Sequence, residues 1–205
     1  MATKIIRDKN YLHKKTEPVL TLQEGEEIAK QLLSVLVDFP NGVGLSANQI
    51  GIAKSVSVVC IPDQEPLILI NPEITEYSPE TIIYREGCLS VPGKVVWTKR
   101  NLTIKISTLN HANILEFGPD VMPPTKESVA SDYGLLKSVC IQHEVDHLNG
   151  RLITDDDVRI IPPAAKANVK YGRNDKVVIE KDGATQFIKY KNALELIAND
   201  GWKLI

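Results

Sequence analysis

The sequence predicts an α+β fold in which mixed or antiparallel β-sheets surround a central, metal-binding helix carrying an HExxH motif. Short β-branched runs fill the middle of the chain, and a strongly periodic helical segment follows at Asp132 to Asn149. Inside that segment stands QHEVDHLNG, Gln142 to Gly150. Imidazoles four residues apart on a helix lie one above the other, so His143 and His147 can reach a single ion with Glu144 beside them.

Taken in order, residues 21–37 place Ile28, Leu32, Leu33, Val35 and Leu36 at helical spacing behind a Thr21 to Glu24 capping box, and the helix is expected to stop before Pro40. Strands are expected at Ser55–Ile61, Leu67–Asn71, Thr81–Arg85 and Leu102–Thr108, with Asn110–Asn113 turning the chain toward Ile114–Phe117. Residues 118–131 contain three prolines and read as a loop. The motif helix should end at Gly150. Beyond Pro162 and Pro163 a polar linker leads to KVVIEKDGATQFIKY, whose Asp182-Gly183 pair signals a hairpin. A short helix over Lys191–Asn199 and a final WKLI close the chain.

At 205 residues and 43% hydrophobic, the chain suits one globular domain with an appendage. The net charge of -2 divides into 15 basic and 21 acidic side chains over residues 1–157, against 9 and 5 over 158–205. The basic tail reads as a solvated face more readily than as a site for an acidic partner such as RNA, and no run is dense enough to predict a specific nucleic-acid partner. MATKIIRDKNYLHKK lacks an apolar core of signal length, and no run is long enough to span a bilayer. A cytoplasmic protein without a membrane partner is therefore expected. Cys60, Cys88 and Cys140 are too few and too scattered for a disulfide framework, which fits a reducing compartment.

Two histidines leave a metal site incomplete. The metzincin pattern would continue through a glycine to a third histidine; Gly150 fits, but Ile153 stands where the histidine would be. His13 and His111 sit in polar, turn-like surroundings and read as surface residues. Leu136, Val139 and Cys140 precede His143 by seven, four and three positions, which puts the motif on a buried, apolar face. Upstream, REGCLSVPG offers the Cys88 thiolate at a strand end. Two imidazoles and a thiolate would leave a fourth coordination position open, as a hydrolytic site needs. A peptidase of the zincin type would instead take Asp155, Asp156, Asp157 or Glu180, and a closed structural zinc site would add Cys60 or Cys140. A third stretch, NGVGLSANQIG, pairs glycines that permit close backbone approach, Gly42 and Gly44, with Gln49, whose amide can donate to an oxyanion.

Together GVGLSANQ, EGCLS and QHEVDHLNG resemble, in order, the three motifs of peptide deformylases. The likeness covers most of residues 1–155. It implies metal ligation by Cys88, His143 and His147, general acid/base work by Glu144, and oxyanion stabilisation by Gln49 and the backbone N–H of Leu89. It further implies a pocket for the methionine side chain bounded by Val43, Gly44, Leu136, Val139 and Cys140, with Glu86 either paired to Arg100 or orienting the Cys88 turn. One divalent metal per chain is implied: ferrous iron in the cell, with zinc, nickel or cobalt able to take its place. The implied reaction removes the formyl group from the initiator methionine of new polypeptides, so the implied partners are N-formylmethionyl peptides and nascent chains close to the ribosome. Ser46 departs from the family's usual alanine, and the 118–131 loop looks long. The tail reads as hairpin, helix and strand where the family often ends in a helix, so ribosome binding is not carried over to it. Residues 1–160 are thus expected to form the catalytic domain, and 161–205 an extension packed on it.

Overall fold

The computed structural model describes residues 5–122, 124, 129, 131–160, 173–174, 176–181 and 184–204. The chain divides into two compact units, Met1–Val158 and Arg159–Ile205.

The first unit opens with a single helical turn, α1 (Lys9–Leu12), and then α2 (Leu22–Leu36). Thr21 caps α2 by accepting from the Glu24 amide at 3.2 Å. The Glu24 carboxylate reaches back to the amide of Leu20 at 3.1 Å, one residue beyond the reciprocal partner of a standard capping box. Ile28, Leu32, Val35 and Leu36 are buried against the first sheet, and the helix ends ahead of Pro40.

Strands β1 (Gly44–Ser46), β2 (Val56–Val59) and β3 (Leu67–Ile70) form that sheet in the order β1-β2-β3, and a 3-10 turn, Ala47–Ile50, follows β1. A second sheet runs β4-β7-β8, from β4 (Glu73–Tyr77), β7 (Ile104–Thr108) and β8 (His111–Phe117). Between them in sequence, β5 (Thr81–Gly87) and β6 (Val95–Asn101) pair along their full length, from Thr81↔Asn101 to Gly87↔Val95. All these pairings are antiparallel, which narrows the mixed-or-antiparallel expectation. The expected turn at Asn110–Asn113 falls instead at Leu109–Asn110. Asn110 is held there because its side-chain amide bonds both Ile70 N and Ile68 O of β3. Strands β1, β4 and β6 were not expected.

Helix α3 (Tyr133–Leu148) carries His143, Glu144 and His147. From Ser138 to Leu148 every residue but Asp146 is buried, so this helix has almost no solvent face. Two of its buried polar side chains are satisfied by backbone groups: Ser138 donates to Leu102 O, and Gln142 exchanges two bonds with the Asn101 backbone. Asp132 caps the start, accepting from Leu135 N at 2.7 Å. Gly150 ends it at φ 74°, where an added Cβ would meet His13 O at 2.4 Å.

The second unit contains β9 (Arg159–Ile160), β10 (Lys176–Lys181), β11 (Ala184–Lys189), α4 (Tyr190–Asn199) and β12 (Lys203–Leu204). Strands β10 and β11 pair antiparallel down to Lys181↔Ala184, and Val177, Ile179 and Ala193 form a small core. The Asp182-Gly183 turn and the linker after Pro162 and Pro163 lie outside the described residues, as does part of the 118–131 loop.

Candidate metal centre

Two elements bring the predicted ligands together. The end of β5 runs into Cys88, and α3 presents His143 and His147 one turn apart with ring centroids 5.0 Å from each other. One ligand atom from each of Cys88, His143 and His147 lies within 4.8 Å of the others. Cys88 Sγ is 3.1 Å from His147 Nε2. The donor set suits a metal, since a soft thiolate and two imidazoles converge on one point. His143 has its other nitrogen engaged, because Nδ1 faces Glu86 Oε2 at 2.7 Å, and this leaves Nε2 for an ion.

Glu86 ties the ligand to the fold. Its carboxylate also takes Arg100 Nε at 2.6 Å and Nη2 at 3.0 Å, and accepts from the Thr98 hydroxyl. Burial alone would raise the Glu86 carboxyl, but Arg100 and the His143 contact hold it well below the usual carboxylate range. Arg100, itself buried, continues to Asp146 at 2.5 Å, and Arg151 and Asp157 extend the chain of charges to the surface. Glu86 thus lines the cavity while every oxygen of its side chain is engaged, and it acts on His143 and not as a free group for substrate. Of the two readings of Glu86, the Arg100 pairing is realised.

The histidines differ. Burial and the neighbouring His143 charge push His147 well below its ordinary value. Burial would lower His143 too, but the Cys88 sulfur and Glu86 outweigh it and raise it. Glu144 follows the pattern of a buried acid: desolvation lifts its carboxyl to about 7, opposed by the His143 charge and the Ser46 hydroxyl. Among the described residues Glu144 Oε2 has no hydrogen-bond partner, which is unusual for a buried carboxylate.

Gln49 is locked by its own carbonyl. Gln49 Oε1 accepts from Ser46 N at 2.9 Å and lies 3.0 Å from Ser46 Oγ, which turns the Nε2 donors toward Ser90 Oγ at 3.1 Å and Cys88 Sγ at 3.7 Å. Ser46, the departure from the family motif, is therefore part of what fixes this amide. Next to it, Asn48 Nδ2 donates to His147 O at 2.6 Å and anchors the 3-10 turn to α3.

A cavity of about 380 Å³ opens onto these groups. Val43, Gly44, Gln49, Glu86, Cys88, Leu89, Leu136, Val139, Cys140, His143 and Glu144 line it, and His147 is not among the lining residues. Gly44 is required by space, because a Cβ there would lie 2.5 Å from both Cys140 Sγ and Glu144 Oε1. Sequence reasoning missed Tyr84 and Arg85, which also border the cavity; Tyr84 shares the inward face of β5 with Glu86, and that alternation was the available signal. Of the alternatives to Cys88, Asp155 bonds His13 and Leu152 N and Asp157 bonds Arg151, while Cys140, the alternative fourth ligand, has its Sγ 4.0 Å from Glu144 Oε1.

Known proteins share this arrangement of elements. A family profile described as "Polypeptide deformylase" matches residues 3–160. A peptide deformylase of Prochlorococcus marinus (strain MIT 9312) is 42% identical over 147 residues, 67% of this chain and 64% of that protein, so the chain spans just under two thirds of that relative. One from Cellvibrio japonicus is 36% identical over 143 residues, covering 68% of this chain and 76% of the relative. Among solved structures, the peptide deformylase of Thermotoga maritima superposes with a TM-score of 0.61 at 30% identity, covering 79% of this chain and 99% of that one. With the profile spanning residues 3–160 and the relatives agreeing, the chain belongs to the polypeptide deformylase family.

Proposed function

We propose that the protein removes the N-formyl group from the initiator methionine of new polypeptides and releases formate. The observation that carries this reading is the convergence of Cys88, His143 and His147, the first two of them lining a cavity that Glu144, with one buried unpartnered oxygen, lines as well. In this reading α3 is the metal-binding helix, and residues 1–158 hold the chemistry while 159–205 supply none of it.

Cys88 and the two imidazoles hold one divalent ion, which we assign as ferrous iron in the cell, with zinc, nickel or cobalt as substitutes. When bound, that ion supplies a Lewis acid and lowers the pKa of water toward about 7. Glu144 takes the proton of the attacking water. As the formyl carbon becomes tetrahedral, the Gln49 Nε2–H and the Leu89 amide donate to its oxygen, and losing one such donor costs on the order of 3 kcal/mol. Glu144 then returns the proton to the departing nitrogen, leaving a free amine on methionine. Its position near neutrality, set by burial, suits a group that must both accept and give a proton. Val43, Leu136, Val139 and Cys140 form the apolar wall for the methionine side chain, and Gly44 lets the substrate backbone and Glu144 approach each other.

N-formylmethionyl nascent chains are the substrates in this proposal, which places the protein near ribosomes in the cytoplasm. Among the described residues no helix is long and apolar enough to cross a membrane. The test is formate release from formyl-Met-Ala-Ser beside an assay for internal peptide cleavage, both with metal content measured. Formate without chain cleavage supports the proposal. Internal cleavage points to a peptidase, and neither product with tightly held zinc points to a structural site.

A further inference from the structure

We propose that Arg85 selects peptides that carry an acidic side chain at their third residue, two places after the formylated methionine. This deepens the deformylase reading and rests on it. Side chains alternate along β5, so Tyr84 and Glu86 face inward while Arg85, which borders the cavity, is exposed on the outer face. Directly across the ladder stands Trp97, and the Arg85 guanidinium carbon lies 5.6 Å from the centroid of its ring. An indole under a guanidinium holds it in place while leaving its N–H edge to meet a carboxylate in a bidentate pair. Among the described residues no carboxylate takes that position. Glu86 lies on the opposite face and is engaged with Arg100, Thr98 and His143.

The placement fits an extended peptide. Arg85 stands three residues before Cys88, and at roughly 3.3 Å per residue that is about 10 Å along the strand. A substrate with its formyl group at Cys88 and its chain running back along β5 would cover the same span by its third residue. The pair is solvent-accessible, so its effect is moderate and screened by salt.

The experiment compares kcat/KM for formyl-Met-Ala-Asp-amide and formyl-Met-Ala-Lys-amide, whose blocked termini remove any other carboxylate. The unmodified protein is expected to prefer the acidic peptide by roughly three- to tenfold at low ionic strength, with the ratio falling toward one in high salt. Arg85→Ala should bring the ratio near one, Arg85→Glu should invert it, and Arg85→Lys should restore part of it. A parent ratio near one, or a ratio unmoved by Arg85→Glu, would overturn the proposal. If neither peptide yields formate, the deformylase reading itself fails. The same two peptides carrying a C-terminal fluorophore, titrated onto nickel-loaded protein by anisotropy, then decide on Arg85 by the same ratio of affinities.

Discussion

The Glu86 carboxylate accepts from His143 Nδ1 at 2.7 Å while it holds Arg100 Nε at 2.6 Å, so one buried side chain joins a metal ligand to the charge network behind it. Orientation of the imidazole and neutralisation of the guanidinium are therefore a single structural fact. Glu86→Gln keeps the shape and removes the charge. It should weaken metal affinity by about 10- to 100-fold, the usual loss when the outer partner of a ligand is changed. It should also lower the unfolding free energy by about 3 kcal/mol or more, because buried Arg100 loses its buried counter-charge and keeps only the half-buried Asp146. Chelator competition and urea unfolding read the two effects, and a variant matching the parent in both would remove Glu86 from this role.

Gly44→Ala tests how closely β1 must approach α3. The added methyl would press on Cys140 Sγ and Glu144 Oε1, so Glu144 must move, whereas no atom of Cys88, His143 or His147 is among the three nearest to that methyl. We expect kcat to fall by about 10²-fold or more with one metal per chain retained. Full activity in this variant would mean that the position of Glu144 is less demanding than the mechanism requires.

Asp132 offers a pH-dependent test of stability outside the site. Burial would raise its carboxyl, but the amides of Asp120, Leu135 and Val121 hold it below the usual range. A lowered folded pKa gives stability that is present above the unfolded value of about 3.9 and is lost as pH falls through the folded one. Asp132→Ala should thus cost about 1–2 kcal/mol near neutrality, with the gap to the parent shrinking on acidification below pH ~4. A gap that widens in acid contradicts the assignment.

Oxidation should act through Cys88. A thiolate ligand on ferrous iron is exposed to peroxide chemistry at both sulfur and metal, whereas nickel removes the redox-active partner. Activity half-lives in air should be longer for the nickel form than for the iron form. Equal half-lives would argue that loss of activity starts elsewhere.

The sequence revealed the site more fully than the sheets around it. Cys88, His143 and His147 were legible because chemistry fixes their types and spacing. Strand β6 was not, since its inward positions are Thr98 and Arg100, polar residues buried to serve Glu86, and they erase the apolar alternation by which a strand is read. Strand β1 escaped notice because its glycine is there for the close approach to Glu144, and a Gly-rich run reads as a loop. The burial of α3 was anticipated from Leu136, Val139 and Cys140 as a single apolar face. The structure buries Ser138 and Gln142 on its other sides as well, and only backbone partners contributed by distant strands make that tolerable.

The division between holding the metal and moving the proton is most directly tested by Glu144→Ala, measured for formate release and metal content on anaerobically prepared iron protein. Glu144 lines the cavity but is not one of the three ligand residues, so the variant should keep about one iron per chain and lose activity by at least 10²- to 10⁴-fold. Gln49→Ala, assayed beside it, should lose less, because the other oxyanion donor at Leu89 remains. A Glu144→Ala protein that releases its iron, or that turns over nearly as fast as the parent, would contradict the account.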